Sequence, residues 1–164
     1  MQPFIARSLP RPKTPAIILA GLGGAIAIAL LLLLGNALQL AMVIAPFGAS
    51  CVLIFGLPTA PLSQPANVVG GHVVSAAAGM VVFTLFPDFW WYPALGVGLA
   101  ISCMAALRVT HPPAGANPLV IFALEPSWWF LAIPVLLGSA LLVVIGVIYH
   151  RLTGGSYPIK PATQ

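Results

Sequence analysis

Charge is what this sequence has least of. Only 5% of its 164 residues are charged, with 6 Lys or Arg and 2 Asp or Glu, whereas 60% are hydrophobic. A soluble domain carries about 25% charged residues, so this chain could not cover itself with a water-solvated surface. The scarcity of charge therefore excludes a soluble globular protein and predicts an integral membrane protein.

Acidic residues and cysteines are also scarce, which limits catalysis and metal binding. Asp88 and Glu125 fall in predicted loops, so we expect no carboxylate pair inside the membrane. No nucleotide-binding loop, metalloprotease motif or serine-hydrolase motif is present, and we predict neither an enzyme nor a cofactor. Cys51 and Cys103 lie in apolar runs without metal-ligand spacing, so we expect neither a disulfide nor a metal site. The basic residues form no patch suited to nucleic acid.

Long apolar runs, separated by breaks rich in proline and glycine, make up most of the chain. About 20 apolar residues cross a bilayer as a helix. The longer runs are 16–45, 67–86, 94–107 and 130–149, and two shorter apolar pieces lie at 51–57 and 119–124. We expect a basic arm at 1–15, one transmembrane domain at 16–150, and a polar, mobile tail at 151–164.

The two short pieces resemble each other. PFGASCVLIFGL (46–57) and PAGANPLVIFAL (113–124) have Pro, Gly, Ala, Ile, Phe and Leu in matching places. The longer runs around them repeat as well. We therefore predict two homologous halves, 16–86 and 93–150, each with three hydrophobic segments and a broken middle one. Interrupted segments in matching positions of two repeats are typical of a transporter's substrate site.

The number of membrane crossings decides how the two halves are related. If both broken segments cross, the fold is an all-α, 3+3 arrangement of inverted halves. If both re-enter, four full spans remain and the halves are parallel. With the N terminus inside, six crossings place every Lys and Arg inside and both Trp-Trp pairs outside, whereas four spans place Arg108 outside. The positive-inside rule favours six crossings and cytoplasmic termini.

The stretch VTHPPAGANP (109–118) concentrates residues that interrupt helices. Pro112 and Pro113 lack a backbone N–H, and Pro112 disfavours helix at His111. We expect extended backbone there, followed by a new helix from about Asn117. Irregular backbone at membrane depth is tolerated where protein buries it or water lines it. The free N–H groups and positive dipole end of the new helix would favour an anion.

PFGAS (46–50) repeats this pattern in the first half, with Ser50 at the position of Asn117. We expect the two helix starts to face each other near the membrane midplane and to hold one small anion. The residues expected to shape the two breaks are Pro46, Gly48, Pro112, Pro113 and Gly115.

Polar side chains near the breaks are the candidate ligands. An arginine inside a membrane helix costs about 2.5–3.5 kcal/mol, so Arg108 is expected either to bind the anion or to reach an interface. His111 could donate to the anion, carry a proton or bond a carbonyl. His72 could face the substrate or bridge helices, and Asn67 could cap a helix or line the pore mouth. The predicted substrate contacts are Arg108, His111, Asn117, Ser50, His72 and Asn67.

THPPAGANP (110–118), APFGAS (45–50) and QPANVVGGH (64–72) together resemble the HPP family of integral membrane proteins, over roughly 16–150. The resemblance implies a bacterial or plastid-type membrane protein, and members from cyanobacteria and chloroplasts are associated with nitrite transport. That family is usually described with four spans, which differs from the six crossings favoured by the charges. His111, Pro112 and Pro113 match the family's name motif.

We therefore predict a permease or channel for a small monovalent anion, with nitrite first, in the bacterial plasma membrane. The alternative is a membrane-embedded anion sensor or scaffold without transport. A cation or metal transporter would need carboxylates inside the membrane, which this sequence lacks. The small size of the chain and its small-residue helix faces favour a homo-oligomer.

Overall fold

The computed structural model describes residues 7, 9–86 and 90–159. The expected placements of Asp88, of Lys160 and of most of the basic arm fall outside these residues. The described part of the chain contains helices and no strand, which confirms the all-α prediction. The helices are α1 (Thr14–Leu38), α2 (Pro46–Cys51), α3 (Pro65–Leu85), α4 (Tyr92–Ala106), α5 (Asn117–Leu124) and α6 (Leu137–Leu152).

Irregular turns extend three of these helices. A π-helical turn, Val52–Gly56, continues α2, and a 3₁₀ turn, Pro112–Ala116, leads into α5. A 3₁₀ turn and a π-helical turn, Trp128–Leu131 and Ala132–Leu136, lead into α6. A further 3₁₀ turn, Pro61–Ser63, precedes α3.

Three of the described helices are long and apolar enough to cross a membrane. They are Thr14–Leu38, Pro65–Leu85 and, counting the turns before α6, Trp128–Leu152. The shorter apolar helices are Pro46–Gly56, Tyr92–Ala106 and Pro112–Leu124. The prediction of two halves with three hydrophobic segments each stays a prediction.

The first helix has a narrow buried stripe and a broad apolar outer surface. Its buried residues, Gly23, Ala27, Leu31 and Gly35, recur every fourth position and therefore lie on one face. Leucines such as Leu33, which is 66% exposed, cover the rest. An outer surface this apolar suits contact with lipid chains rather than water.

The third helix is the centre of the protein and packs against α4, α5 and α6. Its glycines let neighbouring backbone approach. A Cβ added at Gly79 would lie 2.9 Å from both Pro118 Cα and Ile121 Cδ1. Gly79 therefore holds the start of α5 directly against α3.

The second break has irregular backbone, but the expectation of extended backbone is wrong from Pro112 onward. A 3₁₀ turn, Pro112–Ala116, forms there, because the fixed φ of proline also fits the first turn of a helix. Arg108 ends α4 in a left-handed conformation (φ 58°), and His111 is extended (φ −135°, ψ 102°). The new helix begins at Asn117 with Pro118 in its first turn, as Pro112, Pro113 and Pro118 predicted.

The end of the chain folds back onto the helices. Tyr157 is 4% exposed, and the Ile159 N–H donates to Gln64 Oε1 at 3.0 Å. His150 is buried near the end of α6, and its Nε2 donates to the Ile54 carbonyl at 2.8 Å. The expectation of a mobile tail is wrong for Tyr157 and Ile159, because both contact the helices.

Candidate functional site

Four polar side chains from four separate segments meet in the interior. They are Ser50 of α2, His72 of α3, His111 of the extended break and Asn117 of α5, and each is fully buried. Ser50 Oγ lies 2.8 Å from His72 Nε2 and 2.9 Å from His111 Nε2. The Asn117 amide lies 3.2 Å from His72 Nδ1, and its Nδ2 donates to the His72 carbonyl at 2.9 Å. We call these four residues the polar cluster.

A glycine beside His72 allows the cluster to form. A Cβ added at Gly71 would lie 2.6 Å from His111 Cβ and 2.8 Å from the Val109 carbonyl oxygen. Only a residue without a side chain leaves room for the extended break to run along α3 at this point. In the sequence Gly70-Gly71-His72, the histidine joins the cluster, and Gly71 leaves the space that His111 occupies.

One backbone carbonyl fixes the direction of the hydrogen bonds in the neutral cluster. His111 Nδ1 lies 2.8 Å from the Leu62 carbonyl oxygen, which can only accept, so Nδ1 carries a hydrogen. In the neutral ring Nε2 is then an acceptor, and the Ser50 hydroxyl donates to it. Ser50 Oγ in turn accepts from His72 Nε2–H, which leaves His72 Nδ1 to accept from Asn117.

The cluster is a satisfied network of neutral groups. Burying a polar group without a partner costs about 1–3 kcal/mol on mutational scales, and each of the four side chains has partners inside the protein. The bonds join α2, α3, the extended break and α5. The cluster therefore fixes the relative positions of the two interrupted segments.

Two more side chains of α3 hold the backbone of the second break. Ser75 Oγ donates to the Ala114 carbonyl at 2.6 Å, and Asn67 Nδ2 donates to the Thr110 carbonyl at 2.9 Å. Asn67 was predicted as a substrate contact, and the structure places it beside the break but outside the polar cluster. Ser75 was missed, although a serine one helical turn after His72 in an apolar span is a usable signal.

Arg108 is the second predicted ligand, after Asn67, that the structure does not bring to the cluster. Its side chain is exposed and has no hydrogen bond or ion pair with the described residues. It lies at the C-terminal end of α4, where the helix dipole favours a cation. The alternative in which Arg108 reaches an interface agrees with this position.

A groove of about 470 Å³ runs between α2 and α5 where the two interrupted segments meet. Its lining is apolar and mostly small: Ala45, Pro46, Ala49, Pro112, Pro113, Ala116, Leu119, Val120 and Ala123. Ala49, Pro112 and Ala116 directly adjoin Ser50, His111 and Asn117 in the chain. The wall of this α2–α5 groove is therefore one residue away from the polar cluster.

The helix starts offer fewer free N–H groups than the sequence predicted. In the first break, the Phe47 N–H donates to the Ile44 carbonyl at 2.9 Å and the Gly48 N–H to the Ala45 carbonyl at 3.1 Å. In the second break, the Ala114 N–H donates to the backbone carbonyl of His111 at 3.0 Å. Proline has no N–H to offer. The expectation of free donors is wrong at these positions, because tight turns use the N–H groups locally.

The residues expected to shape the breaks differ in their surroundings. Pro46 and Pro113 are buried, whereas Pro112 is exposed. An added Cβ at Gly48 or Gly115 would meet no atom within 4 Å. The packing of the described residues therefore involves Pro46 and Pro113 and does not require glycine at position 48 or 115.

Comparison with known proteins assigns the chain to a family. The profile described as "HPP, transmembrane region" matches residues 9–158. The chain belongs to the HPP transmembrane family. Two curated transmembrane proteins of Dictyostelium discoideum are 33% and 35% identical to it, over 74% and 69% of this chain. The chain spans 46% and 39% of those relatives' own lengths, and no solved structure matches it.

Membership identifies this HPP protein as an integral membrane protein and confirms the resemblance seen in the sequence. The tripeptide His111-Pro112-Pro113 of this HPP protein supplies one histidine to the polar cluster and two prolines to the groove wall. Among the described residues, no group of three or more His, Cys, Asp or Glu side chains is arranged to hold a metal ion.

Proposed function

We propose that this HPP protein is a permease or channel for a small monovalent anion, with nitrite as the first candidate. The anion moves along the α2–α5 groove beside the polar cluster. The observation that carries the proposal is that Ser50 and Asn117, which hold the same place in the two interrupted segments, both bond to His72. Interrupted segments that meet around one polar group are the usual architecture of a transporter's substrate site.

Reciprocal packing of the interrupted segments supports two inverted halves. Ile121 of the second half packs on Gly79 of the first, and Ile54 of the first half packs on Gly146 of the second. Ile54 and Ile121 hold matching places in the repeated stretch, and Gly79 and Gly146 are separated by the same interval in sequence. A two-fold relation between the halves accounts for both contacts, and we propose the inverted 3+3 arrangement.

The ends of the helices support one basic side of the protein. The Tyr149 hydroxyl near the end of α6 donates to the Leu19 carbonyl near the start of α1. Val109, just after α4, lies against Gly70 near the start of α3. From these contacts we propose that Lys13, Arg108 and Arg151 all lie towards one end of the bundle. By the positive-inside rule we propose that this end is cytoplasmic, with both termini, in a bacterial plasma membrane.

Two further contacts join helix termini in pairs. The rings of Phe83 and Phe122, near the ends of α3 and α5, lie 5.5 Å apart. Phe47, at the start of α2, lies where a Cβ on Gly138, at the start of α6, would be. We propose that these paired ends and paired starts follow from the inverted relation of the two halves.

The groove suits a small solute, since its lining is apolar and mostly of small residues, and the polar cluster lies next to it. A bare anion in such surroundings is costly unless it is compensated, and we propose that the adjacent residues Ser50, His72 and His111 provide that compensation. Exposed Arg108 is proposed to attract the anion at the cytoplasmic end, with Asn67 near it. We further propose a homo-oligomer, whose contact would cover open glycines such as Gly48.

A second candidate is an anion sensor or scaffold that binds without transport. The full burial of the polar cluster, with every member bonded inside the protein, favours it. In that case the groove would hold an anion only when the cluster rearranges, and no net movement would follow.

Nitrite uptake into proteoliposomes containing the purified protein tests the proposal. Vesicles without protein measure the background, and nitrate, formate and chloride serve as competitors. Protein-dependent uptake that nitrite saturates supports the permease. If folded protein carries none of these anions but nitrite raises its thermal unfolding midpoint, the sensor is correct and the permease is wrong.

A further inference from the structure

We infer that the anion moves together with one proton, which the polar cluster carries while the Ser50 hydroxyl changes its acceptor. This inference rests on the proposed anion transport and adds its coupling. The predicted result is electroneutral symport of a monovalent anion and a proton in a ratio of one to one.

Ser50 has two acceptors within reach. Its Oγ lies 2.9 Å from His111 Nε2 and 3.3 Å from the Pro46 carbonyl oxygen. In the neutral cluster the hydroxyl donates to His111, because Nε2 has a lone pair there. The Pro46 carbonyl, whose residue lines the α2–α5 groove, is then the alternative acceptor.

A proton added at His111 Nε2 reverses this bond. Nε2–H now donates to Ser50 Oγ, which already accepts from His72 Nε2–H, so the hydroxyl hydrogen must turn to the Pro46 carbonyl. His111 Nδ1–H keeps the Leu62 carbonyl as its acceptor throughout. Every donor therefore has an acceptor in both protonation states, and a hydroxyl rotation is the only rearrangement needed.

The cluster accepts one proton and not two. The ring centroids of His72 and His111 lie 5.1 Å apart, and two imidazolium rings at that distance inside a membrane would repel strongly. The other groups that face His111 are neutral: Ser50 from α2, the Leu62 carbonyl, and, through His72, Asn117 from α5. Cys51 points instead towards α1, where a Cβ on Gly24 would lie 3.5 Å from it.

A buried imidazolium without a counter-ion is costly, and the described groove lining contains no charged side chain. An anion in the groove would lower the free energy of the protonated cluster, and the proton would favour the anion equally, because such coupling is reciprocal. Proton and anion are thus expected to bind and leave as a pair. Over one cycle one N–H bond forms at His111 and the same bond breaks, so no net charge crosses with the pair.

Uptake under separate gradients tests this coupling. Proteoliposomes with valinomycin and equal potassium hold the potential at zero while the outside is made more acidic, and a second set has equal pH and an imposed potential. Protein-free vesicles measure diffusion of the neutral acid, and a trapped pH dye counts protons. We expect nitrite uptake with the pH gradient, one proton per anion, and no response to the potential.

Potential-driven uptake at equal pH, without proton movement, would overturn the symport while leaving the proposed anion transport intact. Absence of all protein-dependent flux from folded protein would instead contradict the proposed function and, with it, the symport.

Variants at Ser50 separate the hydroxyl switch from simple packing. Ser50→Ala removes the hydroxyl and is expected to lower proton-driven uptake about tenfold or more, equivalent to at least about 1.4 kcal/mol. Ser50→Thr keeps the hydroxyl and is expected to retain coupling. Ser102→Ala, which removes an exposed hydroxyl from α4, is the matched control. Equal coupled uptake by Ser50→Ala and Ser102→Ala would overturn the switch.

Discussion

The two interrupted segments share a sequence pattern but contribute different chemistry. The first segment brings a single hydroxyl, from Ser50, whereas the second brings an imidazole from His111 and an amide from Asn117. The residue at the place of His111 in the first half is Ile44, which is buried in the apolar core. At this matching place only the second segment therefore carries an imidazole.

The third helices of the two halves also differ, with the histidine now in the first half. His72 of α3 bonds across to Ser50 and Asn117, whereas Ser139, at the equivalent interval in α6, donates to its own helix at Val135. Each half therefore supplies one histidine to the polar cluster, at places that do not correspond.

The largest effect on uptake is expected when His111 is replaced by isoleucine, the residue at the matching place of the first segment. His111→Ile removes the imidazole, so the Leu62 carbonyl loses its side-chain donor and Ser50 loses one of its acceptors. We expect coupled nitrite uptake to fall to background and stability to fall by about 1–3 kcal/mol. Thermal unfolding in detergent and proteoliposome uptake measure the two effects. Full uptake by His111→Ile would make the difference between the segments irrelevant to transport.

Asn117→Ser gives the second segment the residue that the first segment has. The serine is too short to reach both the His72 ring and its carbonyl, so one buried acceptor loses its donor. We expect a loss of about 1–2 kcal/mol in the free energy of unfolding, measured by reversible denaturation in mixed micelles. A variant as stable as the native protein would contradict the hydrogen bonds assigned to Asn117.

Alanine at either of two glycines, one in each kind of surrounding, tests how closely the backbone packs there. Gly71→Ala places a methyl group against His111 and is expected to cost about 1–3 kcal/mol. Gly48→Ala meets nothing within 4 Å and is expected to change stability by less than about 1 kcal/mol, in the stabilising direction. Unfolding midpoints of the pair measure this, and the reverse order would refute the close approach at Gly71.

The smallest change in stability is expected for Arg108→Gln, because the side chain is exposed and unpaired among the described residues. A surface substitution of this kind usually changes the free energy of unfolding by no more than about 0.5 kcal/mol. Nitrite uptake at low salt is expected to fall, and the difference should shrink at high salt, because salt screens long-range attraction. Uptake equal to native at every salt concentration would remove Arg108 from the transport path.

The sequence predicted the interrupted helices because proline acts locally. Pro112, Pro113 and Pro118 fix where the second helix can begin without help from distant residues. Burial of a polar residue in an apolar span is a similarly local signal, and Ser50, His72, His111 and Asn117, all predicted as ligands, do come together. Their contact with a substrate stays a prediction.

Other features depended on contacts that a single sequence does not reveal. Arg108 lies outside the polar cluster, in a left-handed conformation just after α4, and the next residue, Val109, packs on Gly70 of α3. The end of the chain lies against the helices, where the Ile159 N–H donates to Oε1 of Gln64, a residue far away in the sequence. The similarity of the two short pieces is visible in the sequence. The packing of Ile121 on Gly79 and of Ile54 on Gly146 is not.

The most direct measurement is nitrite uptake by Ala49→Leu and Ala105→Leu, compared with the native protein. Ala49 is exposed in the α2–α5 groove, and Ala105 is exposed on α4 outside that groove. If the anion passes beside the polar cluster, nitrite uptake by Ala49→Leu is expected to fall about tenfold or more. Uptake by Ala105→Leu is expected to keep the native rate, and both variants should elute from a sizing column like the native protein. Equal, native-like uptake by both variants would contradict the groove as the transport path.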